Sequence, residues 1–488
     1  MGKQISEYTL YRWRYPIGYT IIGIIVVGMI LVAGLFIPGG LSQGEINSVV
    51  ASNSLSFSLT SFDPTAIVNL PYHILQHFSL DLFGVTMFSV KLPSLILGIL
   101  SVLGIILLLR MWFKPNIALL TTILVITTGQ FLFMAQNGTP SIVYIFWTVW
   151  IFVAALKISR RGKWSFLWKM LLFALAAFSL YTPLSIYVLF ALVSAAILHP
   201  HLRYIIRHLS KLKISVGSLG ALIIIAPLVY VVVLHPDIGL KLLGVPTQWP
   251  NLAANTMKLL HQYFDFIKPG SDMLMWPIYG LGSMTLIFLG IYRLFTTKYT
   301  ARSYIISTLA ILLAPVLIIN PNFNGVTFVP IILLMAMGVN TLVSQWYRLF
   351  PRNPYARFAG LIPLIVLMGG LVLSGMSRYT YGYLYDPQTA NSFTKDLRIA
   401  NRLFNANVSG KSAQFIVSKN EVAFYSVIAH HHEGVTVDTQ LPLTADNRTL
   451  IITHAAHATF PVQSPYRIIT DDRSHDSDRF YIYKTDQK

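Results

Sequence analysis

Between Arg14 and Tyr385 the chain offers six side chains for carboxylate chemistry: Glu45, Asp63, Asp81, Asp237, Asp265 and Asp272. All six fall between long apolar runs, in segments that read as loops on one side of a membrane. A carboxylate inside the hydrocarbon layer is costly and usually functional, and the runs contain none. Any general base therefore works on one face. Glu45 and Asp63 are the leading candidates, and each also has a structural reading. Ser42-Gln43-Gly44-Glu45 has the spacing of a capping box. Asp63-Pro64 reads as an N-cap followed by Pro at the first helical position. Behind it, Ile67, Leu70, Ile74, Leu75, Phe78 and Leu82 form one apolar stripe, closed by Gly84. Both helices would lie on the membrane surface.

Cations that could meet a phosphate are fewer still on that face. Lys91 stands near the start of an apolar run. Lys258 and Lys268 belong to an amphipathic segment after Pro250-Asn251, with His261, Gln262 and Asp265 at three- and four-residue steps. Leu252, Leu259, Leu260, Tyr263, Phe264 and Ile267 make its greasy side. It reads either as a cationic lip for a lipid phosphate or as an interfacial helix with a solvated face. His73, Gln136, Asn137, His261 and Asp265 complete the candidate pocket. His430-His431-His432-Glu433 looks metal-like, but adjacent histidines on a helix diverge and no i, i+4 ligand pair accompanies them. No metal cofactor is implied. The Tyr-rich stretch from Arg378 to Pro387 reads either as an interfacial aromatic belt or as a surface for sugar stacking. There is no P-loop, no paired Gly-rich nucleotide motif and no zinc signature. Lys91 and Lys169 lie near span ends and can snorkel.

These residues need a membrane scaffold. Only 11% of the 488 residues are charged, 55% are hydrophobic, and the mean hydropathy is +0.62. A soluble protein carries about 25% charged residues, so the chain is a polytopic membrane protein. It has no Cys, which excludes disulfides and thiolate chemistry. The net charge of +18 reads as topology rather than nucleic-acid binding, because the basic residues recur in short loops.

Eleven apolar runs begin near Ile17, Val90, Asn116, Pro140, Ser165, Leu184, Ile214, Met273, Ser303, Val326 and Phe358. Alternate connections hold 19 Lys and Arg against three on the other side. That asymmetry places the N-terminus in the cytoplasm and the C-terminus outside a cell membrane. The expected fold is an all-α polytopic domain plus a small C-terminal α/β domain. Residues 1–16 form a cytoplasmic tail and 17–376 the membrane domain, with external loops at 39–85 and 235–272. Residues 377–488 form the extracytoplasmic domain. In it QFIVS, VTVDT, TLIITH, YRIIT and RFYIYK read as strands, and 392–405 and 420–431 as helices.

Several segments resemble the GT-C glycosyltransferases, specifically the branch of protein O-mannosyltransferases and lipid A aminoarabinose transferases. In NLPYHILQHFSLDLFGVTMFSVKLPSLILGIL, Pro71, Phe83, Gly84, Leu92, Pro93 and Ser94 fit that family's passage from a surface helix into span 2, with Lys91 in place of its usual Arg. ALLTTILVITTGQFLFMAQNGTPSIVYIFWTV is similar to its spans 3 and 4, and NGVTFVPIILLMAMGV to a late span with Pro330 in place. The departures are specific. The family's catalytic Asp position is Gly44 here, followed by Glu45. Its Arg between spans 3 and 4 aligns with Gln136, and its Arg before the late span with Asn324 or Gly325.

The resemblance implies an integral-membrane glycosyltransferase. It would move a sugar from a polyprenyl-phosphate carrier to an extracytoplasmic glycan, lipid or protein by inverting attack. Glu45 would be the base, with Asp63 second; Lys91, Lys258 or Lys268 would meet the phosphate. Two other readings stand beside it. One is an inactive GT-C-like protein that binds lipid-linked sugar or scaffolds an envelope assembly; the other is a lipid or sugar transporter or flippase.

Overall fold

The computed structural model describes residues 9–36, 40–55, 64–160, 164–267, 276–297, 300–349, 354–386, 392–393, 395–407, 413–432, 434–441, 449–459, 464–470 and 479–483. The chain is a multi-pass membrane protein built around a bundle of apolar helices. Helix α1 spans Thr9–Phe36. The surface helices α2 (Gln43–Asn53) and α3 (Leu70–Phe83) follow, and α4 (Met87–Trp112) returns into the bundle. Then come α5 (Pro115–Ile126), α6 (Gly129–Gln136), α7 (Ile142–Ser159) and α8 (Ser165–Ser179). Next are α9 (Ile186–Leu198), α10 (Pro200–Arg207), α11 (Lys211–Leu234), α12 (Pro236–Leu243) and α13 (Leu252–Phe264). Helices α14 (Leu281–Thr296), α15 (Ala301–Ile319), α16 (Phe328–Leu349) and α17 (Pro354–Tyr385) complete the bundle.

Among the described residues, seven helices are long and apolar enough to cross a membrane alone, and up to nine if each bent pair is one span. The shorter apolar helices α8 and α14 occupy two further runs. The bends have local causes. Thr127 and Thr128 interrupt α5 and α6 at 66°, where the Thr128 side chain caps the Phe131 amide. His199 and Pro200 break α9 from α10 at 94°, because Pro starts a helix but cannot continue one. Helices α14 and α16 meet backbone to backbone: a Cβ on Gly290 would lie 1.9 Å from the Leu334 carbonyl oxygen. Small residues permit such contact in lipid, where close packing drives association.

The first long loop departs from expectation at the start of its second helix. Asp63 lies outside the described residues. Pro64–Ile67 is a 3-10 turn, and α3 starts only at Leu70, with Asn69 in the left-handed region (φ 59°). The apolar stripe on α3 faces outward, as a helix lying on the membrane surface requires. Leu75, Phe78 and Leu82 are exposed, while Tyr72, His73, Gln76 and Ser79 are buried against protein. In a membrane protein the greasy face of a surface helix belongs to lipid. Helix α13 divides similarly: Leu260, Phe264 and Ile267 are exposed, while Leu259 and Tyr263 pack on the bundle.

The C-terminal domain has α18 (Leu397–Asn407), α19 (Val422–His430) and five strands: β1 (Ala413–Ile416), β2 (Val435–Asp438), β3 (Thr449–Thr453), β4 (Arg467–Thr470) and β5 (Arg479–Tyr483). The sheet order is β2-β1-β3-β5-β4. Strands β2, β1 and β3 are parallel; β5 and β4 are antiparallel to their neighbours. This domain shares a core with the first external loop: Leu41, Ile46, Val49 and Val85 pack with Leu397, Ala400, Phe415 and Tyr425. The Leu41 amide donates to the Lys395 carbonyl at 2.7 Å. Asn401 donates to the Val85 carbonyl at 3.0 Å and Arg398 to the Leu35 carbonyl at 2.7 Å.

Candidate active site

Glu45 lies where the first external loop, the start of α4 and the break between α6 and α7 converge. Its capping box with Ser42 is complete. Oε2 accepts from the Ser42 amide at 2.8 Å and the Ser42 hydroxyl at 3.1 Å. Oε1 accepts from the Gly138 amide at 2.7 Å, and the Lys91 ammonium stands 3.8 Å from it. The pair is sealed: Glu45 is 0% exposed and Lys91 1%. Lys91 therefore does not snorkel to water. It is a buried countercharge, the arrangement that buried charges require. Gly138 is needed at the contact, since a Cβ there would meet the Val90 side chain at 2.7 Å and Glu45 Oε1 at 3.3 Å.

A polar network from α2 and α3 braces this point. Gln76 Nε2 donates to the carbonyls of Val90 (3.0 Å) and Gly138 (3.1 Å). Its Oε1 accepts from Ser48 and Ser52, each at 2.7 Å. Ser52 Oγ lies 2.9 Å from His73 Nδ1. With the Ser52 proton given to Gln76, the ring nitrogen is the donor. Burial lowers the His73 pKa to about 4, so the ring stays neutral and serves the scaffold. The Tyr72 hydroxyl lies 2.8 Å from Ser94 Oγ, and burial pushes its phenol up, opposed by that hydrogen bond. The phenol of Tyr379 on α17 is also within electrostatic reach of Glu45.

In front of this network lies a cavity of about 170 Å³, lined by Asn137, Thr139, Ser141, Tyr144, Gln262, Trp276, Asn322 and Asn324 among others. Its lining mixes amide and hydroxyl groups with aromatic and apolar ones, a combination suited to a sugar, and holds no charged side chain among the described residues. Asn137 and Thr139 flank Gly138, so Glu45 stands directly behind this wall. Lys258 reaches the rim, where it donates to Asn322 Oδ1 at 3.2 Å. His261 and Asp265 pair with each other at 3.1 Å. Asn324 donates to Gln262 Oε1 at 3.5 Å.

A second opening is apolar. A groove of about 300 Å³ between α1 and α17 is lined by Gly28, Met29, Val32, Ala33, Leu132, Met376, Tyr379 and Thr380. Gln136 follows Leu132 by one turn and lies against Gly34. Its amide is buried, and neither its nitrogen nor its oxygen has a hydrogen-bond partner among the described residues. An unsatisfied buried amide costs about 1–3 kcal/mol, which a ligand atom or a water would relieve.

The structure thus unites Glu45, Lys91, His73, Gln136 and Asn137 around one junction, and sets Lys258, His261 and Asp265 across the cavity on the second external loop. Lys268 and Asp63 lie outside the described residues. Sequence reasoning missed Tyr72 and Gln76 as site residues; it named Ser94 only for its fit to the family and Tyr379 only within the Tyr-rich stretch. The first two had a signal: Tyr72, His73, Gln76 and Ser79 recur at helical spacing as a polar stripe. In the C-terminal domain, no group of three or more potential metal ligands occurs among the described residues. His454 and His457 instead stack on Tyr481.

Residues 71–231 match the profile of a family described as dolichyl-phosphate-mannose-protein mannosyltransferase. Among solved structures, ArnT from Cupriavidus metallidurans in the apo state is similar at TM-score 0.55 and 12% identity, covering 96% of this chain and 98% of that one. The same protein bound to undecaprenyl phosphate gives 0.54 and 12%, covering 95% and 98%. The Archaeoglobus fulgidus oligosaccharyltransferase tethered with an acceptor peptide gives 0.51 and 12%, covering 87% of this chain and 64% of its own. Curated protein sequences yield no significant match. At these identities the likeness is one of fold. The chain has the GT-C fold and resembles the mannosyltransferase and ArnT branch.

Proposed function

We propose that this chain is a membrane glycosyltransferase that moves a sugar from a polyprenyl-phosphate carrier to an acceptor hydroxyl. The observation that carries this reading is the placement of Glu45, one residue behind the amide-lined cavity and beside an apolar groove that ends near the unpartnered Gln136 amide. The carrier's isoprenoid chain fits the groove between α1 and α17. The sugar fits the cavity, held by Asn137, Tyr144, Gln262 and Asn324. Glu45 is the base: the acceptor hydroxyl displaces the Ser42 hydroxyl, the longest of the carboxylate's hydrogen bonds. The acceptor O–H gives its proton to Glu45 as its oxygen bonds to the anomeric carbon. The bond from that carbon to the phosphate oxygen breaks, with inversion, and the polyprenyl phosphate leaves. Lys258 at the rim neutralises the growing phosphate charge, and Lys91, 3.8 Å from Oε1, holds Glu45 in place. Transfer from a polyprenyl-phosphate sugar in proteoliposomes tests the reading. Loss of product in Glu45→Gln, with the carrier still bound, supports it; undiminished transfer removes Glu45 as base.

A second reading has its own support. Both Glu45 oxygens are already occupied and the side chain has no exposure, as in a purely structural ion pair. On that reading the chain binds lipid-linked sugar without turnover. Saturable carrier binding with no glycosidic product, in the wild type, decides for it.

A further inference from the structure

We propose a second lipid site on the face of the basic loops: an anionic phospholipid with its phosphate on Lys169 and an acyl chain in the cavity beneath. Lys169 sits in the second turn of α8. It is 6% exposed and borders a cavity between the helices. Among the described residues it has no hydrogen-bond acceptor and no ion-pair partner. Its surroundings add positive potential. Lys213 faces it closely enough to repel it, and the α8 N-terminus presents the positive end of a helix dipole. An unpaired ammonium so placed in a largely apolar wall favours an anion beside it.

The space beside it specifies the rest of the ligand. Lys169 lines a cavity of about 330 Å³ and, among the described residues, is the only charged side chain in its wall. Phe152, Leu156, Leu172, Leu192 and Ile205 make much of that wall. The wall's hydroxyl, on Ser159, already donates to the Leu156 carbonyl at 2.8 Å. Helix α10, turned 94° from α9, brings Ile205 to the cavity while Tyr204 and Ile206 are exposed, as in a helix lying in the membrane interface. A hydrocarbon slot with a cationic rim is complementary to an anionic amphiphile. Basic pockets between spans on this side of a membrane meet anionic headgroups. No residue of this site belongs to the candidate active site.

Native mass spectrometry of the detergent-purified full chain tests the proposal, with phosphatidylglycerol and phosphatidylcholine as probes. We expect phosphatidylglycerol to bind about tenfold more tightly, the effect of one charge-assisted contact. Lys169→Met should bring it down to the phosphatidylcholine level, and Lys169→Arg should keep the preference. Ala196→Phe, which fills the cavity, should weaken both lipids; thermal unfolding verifies that each variant folds. Equal binding of the two lipids by the wild type, or an undiminished preference in Lys169→Met, overturns the proposal. So does a Lys169-dependent preference for undecaprenyl phosphate over phosphatidylglycerol, which would give the site to a carrier lipid.

Discussion

The Gly138 amide donates to Glu45 Oε1 at 2.7 Å, joining two points 93 residues apart in sequence. This bond ties the first external loop to the break between α6 and α7, and the cavity wall is built on it. Gly138→Ala would push a methyl group into Val90. We expect a loss of about 1–3 kcal/mol, the usual cost of overpacking. It should be read as a lower Tm in detergent, together with weaker carrier binding.

Glu45 and Lys91 can be separated by a double-mutant cycle. Removing one member of a buried pair leaves the other uncompensated and costs about 3–5 kcal/mol. Glu45→Gln and Lys91→Met should each lower the Tm. Combined they should recover much of the stability, because no buried charge is then left alone. Transfer should stay low in the combination if Glu45 is the base, by about 100-fold or more. Recovery of both together would make the pair structural.

Gln76 answers four groups at once. Gln76→Leu strands the Val90 and Gly138 carbonyls and removes the acceptor of two serine hydroxyls. Several unsatisfied buried groups at about 1–3 kcal/mol each should make this one of the most damaging substitutions on α3. Leu82→Gln, on the exposed face, should be tolerated in detergent. Unfolding curves of the two variants compare them directly.

His73 makes a pH prediction. Its pKa falls from 6.5 to about 4 on burial, so the unfolded state takes up a proton first. Stability is full above about pH 6.5 and falls as the pH drops toward 4. The total approaches about 3 kcal/mol, at about 1.4 kcal/mol per pKa unit. His73→Gln removes this contribution. The difference between the two proteins' Tm-against-pH curves isolates it from other groups.

Leu397, buried in the core shared by the C-terminal domain and the first loop, tests their coupling. Leu397→Ala should cost about 2–5 kcal/mol. Hydrogen exchange should rise in Gln43–Asn53 as well as in the C-terminal domain. A rise confined to the C-terminal domain would show that the loop stands without it.

The elements were legible because their signals are local. Long apolar runs gave the helices of the bundle, and the five short β-type runs gave the strands at nearly their observed positions. The Ser42–Glu45 capping box was also readable, since it spans one turn. What was not legible depends on which solvent a face meets. The stripe through Leu75, Phe78 and Leu82 has helical spacing either way. A surface helix was expected to turn that stripe to lipid; only the packed bundle shows that His73 and Gln76, on the opposite face, are buried in protein rather than solvated. Lys91 and Lys169 look alike in sequence, each near the start of a run. The charges beside them, Glu45 attracting one and Lys213 repelling the other, come from distant segments. The start of α3 was misread because Asp63-Pro64 carries a strong helix signal that gives only a 3-10 turn there.

The pairing of Leu41 with Lys395 carries a rule of parity. One residue follows the first membrane helix and the other follows the last, yet their backbones touch. Both must stand in the same aqueous compartment, so the chain crosses the bilayer an even number of times between them. Since α1 precedes Leu41, a crossing by α1 puts the start of that helix, at Thr9, on the side opposite Lys395.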